Sequence, residues 1–202
     1  MRRNRQNLNS IYLHNMSAME IVNIMNTEDA KIAEIVKHSL PEIAKAVELI
    51  EKRLKDGGRL FYVGAGTSGR LGVIDASECP PTFRTHSEKI QGIMAGGEKA
   101  LVNAIEGVED DSIAGESIIR NKKVDKRDVI VGISASGKTP FVLAAVEYAS
   151  KQGAATIGLT CNYSSLLTDC VDVGILISVG AEVLADSTRL KAGTAQKMVL
   201  NM

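Results

Sequence analysis

The sequence predicts an α/β fold: one five-stranded parallel sheet with helices on both faces, preceded by a helical segment. From residue 57 onward, short apolar runs alternate with longer amphipathic stretches, which is the pattern of strands and helices in βα units. The apolar runs show no alternation of polar and apolar residues, as expected of parallel strands that are covered on both faces. The first 56 residues carry helical signals only.

Residues 1–56 are therefore predicted to be an N-terminal helical segment, and residues 57–202 the sheet domain. Thr27, followed by two acidic residues, predicts a helix start, and Ser39 with Glu42 predicts a capping box. Apolar residues then recur at steps of three and four, at Ile32, Ile35, Val36, Leu40, Ile43, Val47, Ile50 and Leu54. This apolar stripe must pack against the sheet domain or against a partner subunit.

The sheet domain is predicted to contain five strands joined by helical crossovers. The strands are expected near 59–64, 90–94, 129–134, 154–160 and 173–178. The helices are expected near 68–78, 98–106, 111–121, 140–152 and 164–169, with a last helix from Ser187 to Met202. Right-handed crossovers bring the carboxyl ends of the strands to one edge of the sheet, where open α/β sheets bind ligands.

Two hydroxyl-rich loops follow strands of this domain. The first, GAGTSG at residues 64–69, places Thr67 and Ser68 among three glycines. The second, SASGKT at residues 134–139, contains the hydroxyls of Ser134, Ser136 and Thr139. Backbone N–H groups at a helix start bind anions, and hydroxyl groups add donors. We interpret the two loops as one site for a phosphate on a small molecule rather than for a nucleotide.

Composition argues against two classes of partner. Lys plus Arg and Asp plus Glu are each 24, so there is no electrostatic drive toward nucleic acid or an anionic membrane. The arginines at positions 2, 3 and 5 are interpreted as a solvated end. The chain has no signal peptide and no long apolar run, so we expect a cytoplasmic protein. The cysteines form no CxxC and the histidines have no ligand spacing, so no metal or other cofactor is expected.

Three longer strings carry a family resemblance: GAGTSGRLGVIDASECPPTF, AGGEKALVNAIEGVEDD and STRLKAGTAQKMVLN. They resemble the N-acetylmuramic acid 6-phosphate etherase branch of the sugar isomerase (SIS) domain family, and the likeness runs from about Arg3 to the last residue. It implies a SIS-type sheet and a lyase that cleaves the D-lactyl ether by elimination and rehydration. The products would be N-acetylglucosamine 6-phosphate and D-lactate, without a cofactor. Arg84 and Ala181 depart from the family pattern, and the given residues are expected to lack the C-terminal helices of the family.

The resemblance implies two catalytic carboxylates. Glu78, in ASECPPT, matches the family's acid. Pro80 and Pro81 are expected to end the helix near Glu78 and so to leave it at the negative end of the helix dipole, which suits an acid. Glu109, in EGVEDD, matches the second glutamate and is assigned as the base that also activates water. Without the resemblance, this acidic run predicts only a helix cap.

The remaining predictions concern binding and assembly. The expected substrate-binding residues are Gly66, Thr67, Ser68, Ser134, Ser136, Thr139, Ser187 and Lys191. A homodimer is expected, because SIS domains pair around their active sites and the apolar stripe lies outside the sheet domain. Two alternatives stay open: an aldose–ketose phosphosugar isomerase, which needs no leaving-group acid, and a phosphosugar-sensing module that binds without turnover, as in the related glucokinase regulatory protein.

Overall fold

A parallel five-stranded sheet forms the centre of the computed structural model, which describes residues 6–202. The arginines at positions 2, 3 and 5 lie outside the described residues. The strands are β1 Leu60–Gly64, β2 Ile90–Met94, β3 Val129–Ser134, β4 Ala155–Thr160 and β5 Val173–Leu176. All neighbouring strands are parallel, in the order β2-β1-β3-β4-β5. The predicted α/β class and five-stranded parallel sheet are confirmed.

Nine α-helices connect and flank these strands in the described part of the chain. They are α1 Ala18–Asp29, α2 Ile32–Lys37, α3 Leu40–Lys55, α4 Gly66–Phe83, α5 Gly97–Val102, α6 Ser112–Asn121, α7 Pro140–Lys151, α8 Leu166–Asp169 and α9 Lys191–Leu200. Single 3₁₀ turns occupy residues 8–10, 13–15 and 108–110. None of the helices described between residues 6 and 202 is long and apolar enough to cross a membrane.

Two apolar layers cover the two faces of the sheet. Alternate residues of β1 point into different layers: Tyr62 belongs to the layer formed with α2, α3 and α9, whereas Phe61 and Val63 belong to the layer formed with α6, α7 and α8. Burial on both faces explains why the strands are apolar throughout.

The apolar stripe packs mainly against the sheet of its own chain. Ile32, Val36 and Ile43 are buried in the first layer. Only Leu40 and Val47 are exposed, each at 43% of its surface. The argument that the stripe requires a partner subunit is therefore wrong, because the sheet already covers most of it. The dimer and the domain boundary at residue 56 stay predictions.

One predicted helix start and one predicted capping box are wrong. Thr27 lies in the last turn of α1, whose start is a capping box between Ser17 and Glu20: the Ser17 N–H donates to the carboxylate at 2.7 Å, and the Glu20 N–H donates to the hydroxyl at 3.3 Å. α3 does start after Ser39, as predicted, but the Ser39 side chain makes no capping hydrogen bond to it. Its hydroxyl donates instead to the Leu176 carbonyl at 2.7 Å, which ties the start of α3 to β5.

Helix α4 does not end near Glu78. It continues through Pro80 and Pro81 to Phe83, and Arg84 ends it in a left-handed conformation with φ 57°. The two prolines remove two N–H donors from the helix, but their fixed φ of about −65° is a helical value, so the helix can continue through them. The expectation that Glu78 lies at the negative end of the helix dipole is therefore wrong.

The last helix begins later than predicted. Residues from Ser187 form a turn, and α9 starts at Lys191. The carboxylate of Glu182 accepts the N–H groups of Lys191 and Ala192 at 3.0 and 2.9 Å. A carboxylate at a helix N-terminus stabilises the positive end of its dipole. This cap comes from the preceding loop rather than from a residue adjoining the helix, which is why the sequence pattern did not reveal it.

Candidate active site

The two hydroxyl-rich loops meet at one edge of the sheet. β1 and β3 are neighbours, and Gly64 lies opposite Ile133 at their carboxyl ends. The loops that follow these strands line a cavity of about 290 Å³, which we call the first cavity. The predicted residues that line it are Gly66, Thr67, Ser68, Ser134, Ser136, Thr139 and Glu109. The topology thus brings together seven of the ten predicted site residues.

Glycine permits the close approach of α4 to β1. A Cβ atom added at Gly69 would lie 2.7 Å from the carbonyl oxygen of Gly64, so a larger residue would push the helix away from the strand. Gly66 has φ 54°, a left-handed conformation that glycine adopts without strain. These two glycines let the N-terminal turn of α4 lie directly against the end of the strand.

The second loop holds its hydroxyls in a cluster. The Ser134 Oγ lies 2.7 Å from the Thr139 Oγ1 and 3.3 Å from the Ser136 Oγ, and it accepts the Gly137 N–H at 3.0 Å. The Ser136 Oγ accepts the Lys138 N–H at 3.2 Å. Hydroxyl hydrogens rotate, so the hydroxyls of this cluster can act as donors as well as acceptors.

Both loops also match the letters of nucleotide-binding patterns, but their geometry differs. Residues 132–139 read GxxxxGK[ST], yet Gly132 lies inside β3 and only residues 135–139 form the loop. Lys138 does not line the first cavity, whereas the lysine of that pattern binds the same phosphates as the loop. Residues 64–69 read GxGxxG, but Glu88 precedes β2 at the opposite edge of the sheet and does not line the cavity.

The hydroxyl of Ser68 is engaged inside the protein. It donates to the Gln196 Oε1 at 2.9 Å in a buried contact between α4 and α9. The Gln196 Nε2 is buried and has no hydrogen-bond partner within residues 6–202. Ser68 therefore connects the wall of the first cavity to α9, and Thr67 is the more accessible hydroxyl of this loop.

The acidic run divides into a cap and a cavity wall. Asp111 caps α6 by accepting the Ala114 N–H at 2.8 Å. Glu109, on the 3₁₀ turn before it, is half-buried and lines the first cavity together with Glu106. The predicted helix cap is therefore Asp111, and the catalytic role of Glu109 stays a prediction. Glu106 also lies in the cavity wall, although the family resemblance did not single it out.

Arg70 anchors the segment that carries these glutamates. Its Nε donates to the Leu101 carbonyl at 3.0 Å, and its Nη2 donates to the carbonyls of Ala100 and Asn103 at 2.7 and 3.1 Å. These carbonyls end α5, where a cation is favourable. Neither Arg70 nor Asn103 was predicted from the sequence, and both line the first cavity, as does Thr188.

Glu78 does not line the first cavity of its own chain. It lies twelve residues after Gly66 on a continuous helix, or about 18 Å along the axis at 1.5 Å per residue. The side chain is exposed. A small ligand held by the two loops therefore cannot reach Glu78 of the same chain.

Lys191 and Ser187 do not line the first cavity either. The Lys191 ammonium is buried and lies 2.6 Å from the carboxylate of Glu28, and Lys31 pairs with the same carboxylate at 2.5 Å. Burial opposes ionisation of Glu28, but its hydrogen bonds to the two lysines and their charges lower its pKa to about 2. The prediction that Lys191 contacts the substrate finds no support, because its charge is already neutralised.

Comparison with known proteins identifies the family. A model of the glucokinase regulatory protein N-terminal SIS domain matches residues 42–150, which is more than half of the chain. The chain belongs to the SIS-domain family. A general SIS domain model matches residues 106–202.

Curated relatives of this SIS domain share about half of its residues. Proteins named N-acetylmuramic acid 6-phosphate etherase are 48% identical over 193 residues in Pasteurella multocida and 51% identical over 187 residues in Clostridium acetobutylicum. A third, from Bacillus licheniformis, is 50% identical over 198 residues. The matches cover 96%, 93% and 98% of this chain, but only 64%, 62% and 65% of the relatives. The chain thus spans less than two thirds of their length.

Solved structures share the fold at low identity. A phosphoheptose isomerase from Neisseria gonorrhoeae gives a TM-score of 0.70 at 19% identity, covering 92% of this chain and 95% of that one. The NanR protein of Vibrio vulnificus, solved in complex with ManNAc-6P, gives 0.62 at 14% identity, covering 90% and 59%. These similarities establish the SIS fold alone.

Proposed function

We propose that this chain is the SIS-domain part of an N-acetylmuramic acid 6-phosphate etherase, a lyase that converts its substrate to N-acetylglucosamine 6-phosphate and D-lactate. The observation that carries the proposal is that Glu109 lines the same cavity as the two hydroxyl-rich loops. The names of the relatives at 48–51% identity support the choice of reaction.

In this proposal the loops bind the phosphate. The hydroxyls of Thr67, Ser134, Ser136 and Thr139 and the backbone N–H groups at the start of α4 donate to its oxygens. The carbon chain of the ring-opened sugar then extends toward the wall that Glu106 and Glu109 form. Holding the substrate by a group that does not react orients the reacting carbon against its base.

Glu109 removes the proton from carbon 2, which is acidic because it lies α to the aldehyde. The electrons of the C2–H bond form a double bond to carbon 3 as the C3–O bond breaks, and the departing lactate oxygen takes a proton from Glu78. Glu109 then loses this proton to water, and Glu78 regains one from water. In the hydration step Glu109 deprotonates the water that adds to carbon 3, and the protonated Glu109 returns that proton to carbon 2. Two carboxylates in different environments divide the roles of base and acid.

Glu78 must then come from a partner subunit. It lies too far along α4 to serve its own first cavity, so a two-fold homodimer in which α4 faces the neighbouring chain supplies the acid. Ile74, one turn before Glu78 on the same helix face, is 48% exposed, which supports an interface at this surface. The cytoplasm is the proposed compartment, and the free thiols of Cys79, Cys161 and Cys170 suit its reducing conditions.

Proton exchange and lactate release test the two roles. In deuterated water, Glu109→Gln should lose both the exchange at carbon 2 and the release of D-lactate. Glu78→Gln should slow lactate release by roughly 10²- to 10⁴-fold, the usual contribution of a general acid, while the carbon 2 proton of bound substrate still exchanges. Glu106→Gln is the matched control, because it removes another carboxylate from the same wall and should keep both activities.

The outcome also separates the alternatives. Loss of exchange in Glu78→Gln with retention in Glu109→Gln would reverse the two roles. Conversion of an aldose phosphate to a ketose phosphate without release of lactate would identify an isomerase. Binding of phosphosugars with neither exchange nor lactate release, even by the unsubstituted dimer, would identify a sensing module.

A further inference from the structure

A second cavity, of about 560 Å³, adjoins the first. Ala135, Ser136 and Thr188 line both cavities, so the two adjoin at these residues. The remaining wall of the second cavity comes mainly from the loops after β4 and β5, including Asn162 and Ser164. A ligand bound by the two hydroxyl-rich loops therefore has room to extend a substituent into the second cavity.

The loop after β3 contributes to both cavities. Ser134 and Thr139 line the first cavity only, whereas Lys138, between Ser136 and Thr139 in sequence, lines the second only. Its side chain is exposed, and its ammonium group has no hydrogen-bond or ion-pair partner among residues 6–202. One loop thus presents hydroxyls to one cavity and a positive charge to the other.

The two cavities differ in the partners of their cations: Arg70 of the first donates to three backbone carbonyls, whereas the Lys138 ammonium of the second has no partner within residues 6–202. The first has Glu106 and Glu109 in its wall, which disfavour a second anion beside the phosphate. The second also contains two carboxylates, but Glu182 is occupied by the N–H groups that begin α9, and Asp186 has an interaction of its own. The Lys138 ammonium is therefore left to attract a ligand's negative charge.

Asn162 adds a neutral donor. Its Oδ1 accepts the Ser164 N–H at 3.0 Å, so the amide oxygen is used within the loop and the Nδ2 group is left to donate. A cation beside an amide donor is the combination that binds a carboxylate.

We propose that the second cavity binds the carboxylate of the substrate's lactyl ether, with Lys138 as its cation and the Asn162 amide as a donor. The inference rests on the proposed function, because it assigns a subsite to the second anionic group of that substrate. Lys138 is then a specificity determinant: it distinguishes a sugar phosphate that carries a carboxylate-bearing ether from one that does not.

Calorimetry with two ligands tests this assignment. The ether substrate is titrated into protein carrying Glu109→Gln, so that it is not consumed, and N-acetylglucosamine 6-phosphate, which lacks the lactyl group, is titrated in parallel. Adding Lys138→Met should weaken binding of the ether by about 3- to 20-fold, between the values for an exposed ion pair and a charge-assisted hydrogen bond. Affinity for N-acetylglucosamine 6-phosphate should stay within twofold.

Two variants serve as controls. Lys138→Arg keeps the charge and should restore most of the ether affinity, and Lys45→Met removes an exposed lysine of α3 that lines neither cavity and should change nothing. Equal weakening of both ligands by Lys138→Met would mean that Lys138 binds the phosphate, and an unchanged ether affinity would mean that the carboxylate lies elsewhere; either result overturns the proposal. If the chain without the Lys138 substitution binds neither ligand, the proposed function is overturned instead.

Discussion

Replacement of Lys191 by methionine should destabilise the protein strongly. Lys191 and Glu28 are almost fully buried, with 4% and 7% of their side chains exposed, and their charges lie 2.6 Å apart. The substitution leaves a buried carboxylate whose remaining cation is Lys31, which is 52% exposed and so largely hydrated. Removal of one partner of a buried ion pair costs about 3–5 kcal/mol. We expect a loss of that size in the free energy of unfolding at pH 7.

The loss of unfolding free energy caused by Lys191→Met should become smaller as the pH falls. Ion pairing holds the pKa of Glu28 at about 2 against a usual 4.5, so its stabilisation is complete above the unfolded value and disappears as the pH falls through the folded value. In Lys191→Met the same carboxylate is buried without its main partner, and its pKa should rise. In mildly acidic solution Glu28 of the variant is then protonated and no longer carries an unpaired charge. The difference in free energy of unfolding between Lys191→Met and the unsubstituted protein therefore becomes smaller.

Urea denaturation at pH 7 and pH 4 measures both effects. Lys31→Met is the matched control and should cost less than about 1 kcal/mol, as an exposed pair does. The double variant Glu28→Gln with Lys191→Met should lose much less than the sum of the single variants, because neither charge remains buried. A loss in Lys191→Met no larger than that in Lys31→Met, or equal at both pH values, would refute this account of the pair.

Two further predictions concern the first cavity. Ser136→Ala should weaken binding of N-acetylglucosamine 6-phosphate by about 1.5–3 kcal/mol in calorimetry, because a phosphate oxygen loses a hydroxyl donor. The control Ser164→Ala, which changes a residue that lines the second cavity only, should leave this affinity unchanged. An unchanged affinity in Ser136→Ala would show that Ser136 does not bind the phosphate. Arg70→Lys should lower kcat for lactate release by about 10- to 100-fold with little change in phosphosugar affinity, because the carbonyls at the end of α5 lose their anchor and Glu109 shifts. A fall in affinity with unchanged kcat would mean that Arg70 binds the ligand itself.

Local sequence patterns were sufficient for the sheet and for the two loops. Buried parallel strands are continuous apolar runs, and adjacent strands must end at the same edge, so the meeting of residues 64–69 with 134–139 follows from the strand order. The division of the acidic run into the Asp111 cap and the cavity-lining Glu109 did not follow, since both residues have the same chemistry and only tertiary position separates them.

Patterns failed where the decisive contact is distant in sequence. The periodicity of the apolar stripe shows that one face of the helices is buried but not which surface covers it. Glu28 resembles a first-turn residue of a helix, but its partner Lys191 is 163 positions away. Pro80 and Pro81 usually end a helix, and only the three-dimensional course of α4 shows that Glu78 lies too far from the loops of its own chain.

The contacts of the N-terminal helices have a consequence for how the chain folds. Ser39 bonds to Leu176 and Glu28 to Lys191, at separations of 137 and 163 residues. During synthesis α1 and α3 therefore emerge long before β5 and α9, which complete their burial. Until then the apolar side chains of these helices stay partly exposed. Contacts of such separation slow folding and prolong the exposure of apolar surface. We therefore expect the N-terminal helices, although they are synthesised before the sheet, to reach their final packing only after β5 and α9 have formed.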